Sequence, residues 1–153
     1  MIAVKAQVYP PQDTPQLEFA LQLRVEIDKP QVLGDTPRGK RVIIPITGGT
    51  FEGPGISGTI LNGGADYQIV SSDNSRTELE AIYTIKTDDG VCIHVRNYGL
   101  SYNDKSTNYF KAAPKFEAPA DSKYAWLNNA LFVCQPGFQP SFNGIILNVW
   151  KLK

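Results

Sequence analysis

The chain has 153 residues, of which 42% are hydrophobic and 20% charged, enough for one soluble domain around a single core. Lys+Arg and Asp+Glu both total 15, so the basic excess of a phosphate-backbone binder is missing and nucleic acid is not an expected partner. No apolar run approaches the roughly 20 residues of a bilayer-crossing helix, and the start MIAVKAQVYPP lacks the pattern of a secretory signal.

Thirteen glycines and eleven prolines suit short strands and tight turns better than helices. Leu17 to Asp28 alternates, with Leu17, Phe19, Leu21, Leu23, Val25 and Ile27 on one face and polar residues on the other. That period of two predicts a long, half-buried antiparallel strand. At roughly 3.4 Å per residue it spans about 40 Å, a length that suits a tilted barrel strand.

Pro30 to Lys40 reads as a loop, and Arg41 to Thr47 as a strand in which Pro45 predicts a bulge or an edge position. Gly48-Gly49 is a turn or kink. Ile56 to Leu61 and Tyr67 to Ser71 are strands, and the intervening Asn62-Gly63-Gly64 predicts a hairpin. A turn at Ser71 to Ser75 leads into the alternating run Thr77 to Thr87, which carries Leu79, Ala81, Tyr83 and Ile85 on one face. Asp88-Asp89-Gly90 is a hairpin turn, and Val91 to Asn97 returns from it.

Ser101 to Asn108 reads as a loop, and Tyr109 to Pro119, with its two prolines, as an irregular crossing segment. Asp121 to Asn129 holds the one expected helix, N-capped by Asp121 or Ser122. Ala130 to Cys134 and Gly144 to Leu152 are closing strands around the Pro/Gly loop QPGFQPSFN. The whole, residues 1–153, is expected to be a single all-β domain: an antiparallel up-and-down barrel of about 8–10 strands with one short helix, able to hold one small ligand inside.

Catalytic signatures are scarce. His94 is the single histidine, and with Cys92 and Cys134 it matches no zinc pattern, so neither a metal nor another cofactor is expected. Neither GxSxG nor a phosphate-binding glycine loop occurs. Both cysteines lie in apolar runs and are expected to be buried reduced thiols, which suits a cytoplasmic location. The carboxylates are more informative. Glu52 in TFEGP and Asp66 in GGADY each sit between a glycine and an aromatic neighbourhood. In an apolar pocket such a carboxyl is raised in pKa and serves as acid or base near neutral pH; the competing role is a turn-stabilising hydrogen bond to backbone N–H groups. Arg96, after an apolar run, is a candidate partner for Asp66 or for an anionic ligand group, or else an outward salt bridge.

The runs GDTPRGKR (34–41), IPITGGTFEGPGISGTILNGGADYQ (44–68), LEAIYTIKTDDGVCIHVRN (79–97), YFKAAPKFE (109–117) and YAWLNNALFV (124–133) resemble the family catalogued as domain of unknown function 3237. The resemblance covers about two-thirds of the chain and implies a small antiparallel β-barrel. It points to Arg41, Thr47, Gly48, Gly49, Glu52, Gly63, Gly64, Asp66, Gln68, Arg96 and Asn97. The chain departs from the usual pattern with Asn62 for Pro, Tyr67 for Trp and Lys111 for Arg; the last removes a planar guanidinium.

The expected site therefore has Asp66, Glu52 and Arg96 as catalytic residues and Arg41, Thr47, Tyr67, Gln68, Tyr83, Asn97, Lys111 and Trp126 as ligand-binding residues. Three functions fit. One is a cofactor-independent acid/base enzyme that isomerises, cyclises or hydrates a small carbonyl compound. The second is a non-catalytic carrier. The third is an oligomeric structural module with a filled barrel. The expected partner is a small-molecule ligand, no membrane is involved, and a homodimer is compatible with the sequence.

Overall fold

The computed structural model describes residues 9–11 and 13–153; the expectation for the N-terminal stretch before Tyr9 lies outside them. Ten strands form one antiparallel sheet: β1 (Leu17–Ile27), β2 (Gln31–Thr36), β3 (Gly39–Gly53), β4 (Ile56–Ile60), β5 (Gly64–Val70), β6 (Arg76–Thr87), β7 (Cys92–Asn103), β8 (Asn108–Glu117), β9 (Phe132–Gly137) and β10 (Gly144–Leu152). Sequence neighbours are mostly spatial neighbours, and the β1–β3 pairing closes the sheet into an up-and-down barrel. β4 and β5 both lie between β3 and β6, so the closed wall has eight strand positions.

That shared position corrects the hairpin expected at Asn62-Gly63-Gly64. β4 and β5 do not pair with each other. Both run antiparallel to β3 and to β6, as two halves of one broken strand. Backbone bonds from Leu61 N to Thr84 O and from Gly63 N to Ile46 O keep the break in lane. The glycine pair serves a kink inside a wall strand rather than a reversal of the chain.

β1 also differs from a simple alternation. Its register with β10 shifts between Phe19 and Leu21, so Ala20 is an extra residue that turns inward. Leu21, Leu23 and Val25 are buried as the alternation predicts, whereas Leu17 is 54% and Phe19 42% exposed. A second shift, between Glu26 and Ile27, sets Ile46 and Gly48 of β3 opposite consecutive β1 residues. Pro45 immediately precedes this bulge, as its missing N–H requires, and its carbonyl accepts from Asp28 N.

One segment expected as a loop and one expected as an irregular crossing are strands. Gln31–Thr36 pairs with Gly39–Ile43 in a hairpin that projects beyond the closed wall. Asn108–Glu117 pairs along its length with β7, Pro114 included. Its alternation of Phe110, Ala112, Pro114 and Phe116, the inward face, is a period-two signal that Pro114 masks. The expected helix is only a 3-10 segment, Ala125–Asn129, without a side-chain cap. It is tied to the β6–β7 turn by the Tyr124 hydroxyl donating to Asp89 at 2.6 Å.

The helix end of the barrel is solid. Leu21, Phe51, Ile85, Ile93, Leu127 and Val149 are almost fully buried there, and Phe116 meets Phe132 edge-on at 5.1 Å. The opposite end, which carries the β5–β6 and β7–β8 turns, is not filled. At that end β8 and β9 part: their ladder is the single pair Ala112–Cys134. Both cysteines are free, but Cys92 is exposed rather than buried, because it starts β7 on the outer face.

Candidate functional site

The site follows from strand register. Asp66 on β5 stands opposite Ala81 on β6, and Ala81 stands opposite Asn97 on β7. Residues directly opposite share a face, so the three point the same way. Tyr83, two residues beyond Ala81, joins them. All four line a cavity of about 60 Å³ inside the barrel, whose other walls are apolar and include Val25, Ile46, Leu79, Phe110 and Leu147. Above it lies a wider, more polar vestibule of about 530 Å³ that shares Leu79, Phe110 and Pro136 with the cavity and adds Gln68, Thr77, Ser101, Asn108 and Phe138.

Three side-chain atoms on this floor are buried and have no hydrogen-bond partner: Asp66 Oδ1, Tyr83 OH and Asn97 Oδ1. Native interiors leave few such atoms, since each costs about 1–3 kcal/mol unless something pairs with it. The other Asp66 oxygen is satisfied, accepting from Gln68 Nε2 at 2.8 Å. Burial pushes the Asp66 carboxyl above the usual carboxylate range, against the opposing pull of Gln68 and of a backbone hydrogen bond to Glu80. Burial likewise drives the Tyr83 phenol well above its ordinary value, with Cys134 and Asp66 adding to the effect. Cys134, itself desolvated, is pushed up to about 12 and remains a thiol. The floor therefore offers a carboxyl inclined to hold its proton, a phenol and a primary amide, each with one oxygen not committed to a protein partner.

Not every expected site residue reaches this floor. Arg96 stands opposite Ile82, one residue out of phase with Asn97, and so points outward. Its Nε donates to Glu80 Oε1 at 2.7 Å and its side chain is 59% exposed. The expected meeting of Asp66 and Arg96 does not occur, because neighbouring residues of a strand take opposite faces. Glu52 also faces outward, 73% exposed, with Arg24 at 3.8 Å. Thr47, Tyr67 and Trp126 are exposed as well, and Trp126 packs beside Phe132 outside the wall. Arg41 reaches the Gln68 carbonyl at 3.5 Å without lining the cavity. Lys111, on the vestibule rim, donates to Gln135 across the gap between β8 and β9. Gln68 supports Asp66 from the vestibule, while Tyr83 and Asn97 lie on the floor.

The walls that went unrecognised are Phe110, Pro136 and Phe138. Phe110 and Phe138 stack at 6.4 Å where β8 and β9 separate. The first was hidden in a proline-containing segment and the other two in a Pro/Gly loop, yet the inward phase of β8 was available in Phe110, Ala112 and Phe116. His94 is on the outer face, with its Nε2 3.6 Å from Glu117. No group of three or more metal-ligating side chains occurs among the described residues.

Residues 15–152 match the family described as Protein of unknown function (DUF3237). The chain belongs to the DUF3237 family. Among relatives, it is 33% identical to a UPF0311 protein of Clostridium acetobutylicum over 88% of this chain and 92% of that one. It is 37% identical to a UPF0311 protein of Rhodopseudomonas palustris, over 78% and 88% respectively. A crystal structure from Rhodopseudomonas palustris, described as a conserved protein of unknown function, superposes with a TM-score of 0.83 at 31% identity, covering 93% of this chain and all (100%) of that one. A β-barrel like protein from Acinetobacter baumannii gives 0.80 at 33%, covering 96% and 100%. A chain described as an enzyme from Penicillium herquei, 23% identical with a TM-score of 0.76 and coverage of 95% and 100%, shares the fold. The same barrel fold is thus common to all three structures and this chain.

Proposed function

We propose that the barrel takes a small, partly apolar organic molecule into its open end and that Asp66 acts on it as a proton donor or acceptor without a cofactor. One observation carries this reading: three uncommitted polar atoms, on Asp66, Tyr83 and Asn97, are buried together on the floor of an otherwise apolar cavity. A filled structural barrel has no use for them, and their cost persists until water or a guest pairs with them. The raised Asp66 carboxyl favours catalysis over simple carriage, because burial makes it a better proton acceptor than an exposed carboxylate and keeps its proton to higher pH. Isomerisation, cyclisation or hydration of a carbonyl compound needs little beyond such a donor, a phenol to steady the developing oxyanion and a dry apolar wall. Two free cysteines accord with a cytoplasmic setting.

The test is a small-molecule library screened by protein-observed NMR on the purified chain. Hits should shift resonances of Asp66, Tyr83 and Asn97, and Asp66→Asn should weaken or reshape that response while leaving the fold intact. A library without any interior hit, or hits confined to the outer wall, refutes the reading. A hit that binds wild type but is never transformed, under conditions where Asp66→Asn binds it equally well, reduces the protein to a carrier.

A further inference from the structure

The charge inventory of the interior says what kind of chemical group can occupy it. Among the described residues lining the floor cavity there is no lysine, arginine or histidine; Asp66 is the single carboxyl. The vestibule contributes one cation, Lys111, and that ammonium is on the exposed rim, engaged with Gln135. The arginines the sequence placed near the site are turned away, Arg96 to Glu80 and Arg41 to the Gln68 carbonyl. A carboxylate or phosphate entering the floor would lose its hydration, meet no counter-charge and lie beside the Asp66 carboxyl.

Size adds a second constraint. The floor cavity is about 60 Å³ against about 530 Å³ for the vestibule, so the floor is by far the narrower of the two. It admits the tip of an organic molecule, not its body. The vestibule of about 530 Å³, with Leu79, Phe110 and Phe138 on its apolar side and Gln68, Thr77 and Ser101 among its polar lining, falls in the range of ordinary ligand sites, about 300–1,000 Å³.

Resting on the reading of the barrel interior as a ligand site, we infer that the protein binds its ligand end-on, with an uncharged hydroxyl or carbonyl tip on Asp66, Tyr83 and Asn97 and a body in the vestibule that lies against Leu79, Phe110 and Phe138, and discriminates against anions. A hydroxyl tip can donate to Asn97 Oδ1 and accept from the Tyr83 phenol. A carbonyl tip can accept from Tyr83 and from a protonated Asp66. Either pairs atoms that are otherwise orphaned.

The test uses three probes with one body and different tips: phenylpropanol, phenylpropanoate and phenylpropylammonium, each titrated at neutral pH into the wild-type chain and followed by NMR. The alcohol should bind about tenfold or more tighter than the carboxylate, a difference of about 1.4 kcal/mol, and shift the Asp66, Tyr83 and Asn97 resonances. Tyr83→Phe should erase much of that preference, and Arg96→Ala should leave it unchanged. A carboxylate that binds as tightly as the alcohol overturns the inference while leaving an interior ligand site standing. An ammonium that binds tightest overturns it too, by showing Asp66 to be an ionised counter-ion. Silence from all three probes also overturns it, and the library screen then decides whether the interior reading falls with it.

Discussion

Gly64 lies against Tyr83 so closely that a β-carbon on it would stand 2.5 Å from the Tyr83 β-carbon and 2.6 Å from the Ile82 carbonyl oxygen. Only a residue without a side chain lets β5 restart beside β6 at this point. The break between β4 and β5 and the placement of the cavity-floor phenol are therefore one feature. Gly64→Ala should destabilise the protein by about 1–3 kcal/mol, the usual cost of overpacking, and shift the Tyr83 ring resonances. Thermal melting with aromatic NMR checks this; an unchanged melting temperature together with an unmoved Tyr83 contradicts the contact.

Asp66 should make the fold respond to pH with a sign opposite to that of the turn carboxylates. Its folded pKa is raised by burial from the model-peptide value of 3.8. Its contribution is therefore fully present below about 3.8 and is lost as pH rises through the higher folded value. Asp73, Asp89 and Asp104, lowered to about 2 by hydrogen bonds, act in reverse: what they contribute is present above about 3.8 and is lost as pH falls toward 2. Asp66→Asn should therefore be more stable than wild type at neutral pH, with the gap closing toward pH 3. Denaturant unfolding of both chains across that range measures the difference, and a gap that widens in acid refutes the sign.

The bulge at Ala20 separates two leucines that simple alternation treats alike. Leu21→Ala should cost about 2–5 kcal/mol, as for other buried leucines, because Leu21 is fully enclosed. Leu17→Ser should change stability by no more than about 0.5 kcal/mol, since Leu17 lies beyond the bulge on the outer wall. Equal losses at the two positions in chemical denaturation would mean that β1 carries no bulge.

Arg96 and Glu80 form an exposed pair on the outer wall. Arg96→Ala should cost about 1 kcal/mol or less, in the range of surface ion pairs, and leave the response to interior ligands unaltered. A marked loss of ligand response in this variant would restore Arg96 to the site.

The architecture and part of the site are legible in the sequence. Period-two runs such as Leu21 to Ile27 and Leu79 to Ile85 can bury one face only as antiparallel strands, and tight turns such as Asp88-Asp89-Gly90 leave neighbours in sequence as neighbours in the wall. The runs around GGADYQ carried the family. Asp66, Gln68, Tyr83 and Asn97 are all candidates by residue type and context, but so are Glu52, Thr47, Tyr67 and Arg96, which face outward. Residue type could not separate the two sets, because facing is a matter of phase. Phase depends on where bulges and breaks fall, at Ala20, between Glu26 and Ile27 and between β4 and β5. Those irregularities are set by contacts between strands distant in sequence, such as Gly64 with Tyr83 and β1 with β3. Only the closed barrel decided that Asp66 and Asn97 share a row, that Arg96 does not, and that packing leaves one end hollow: the register of three strands must be known before any one side chain can be assigned to the inside.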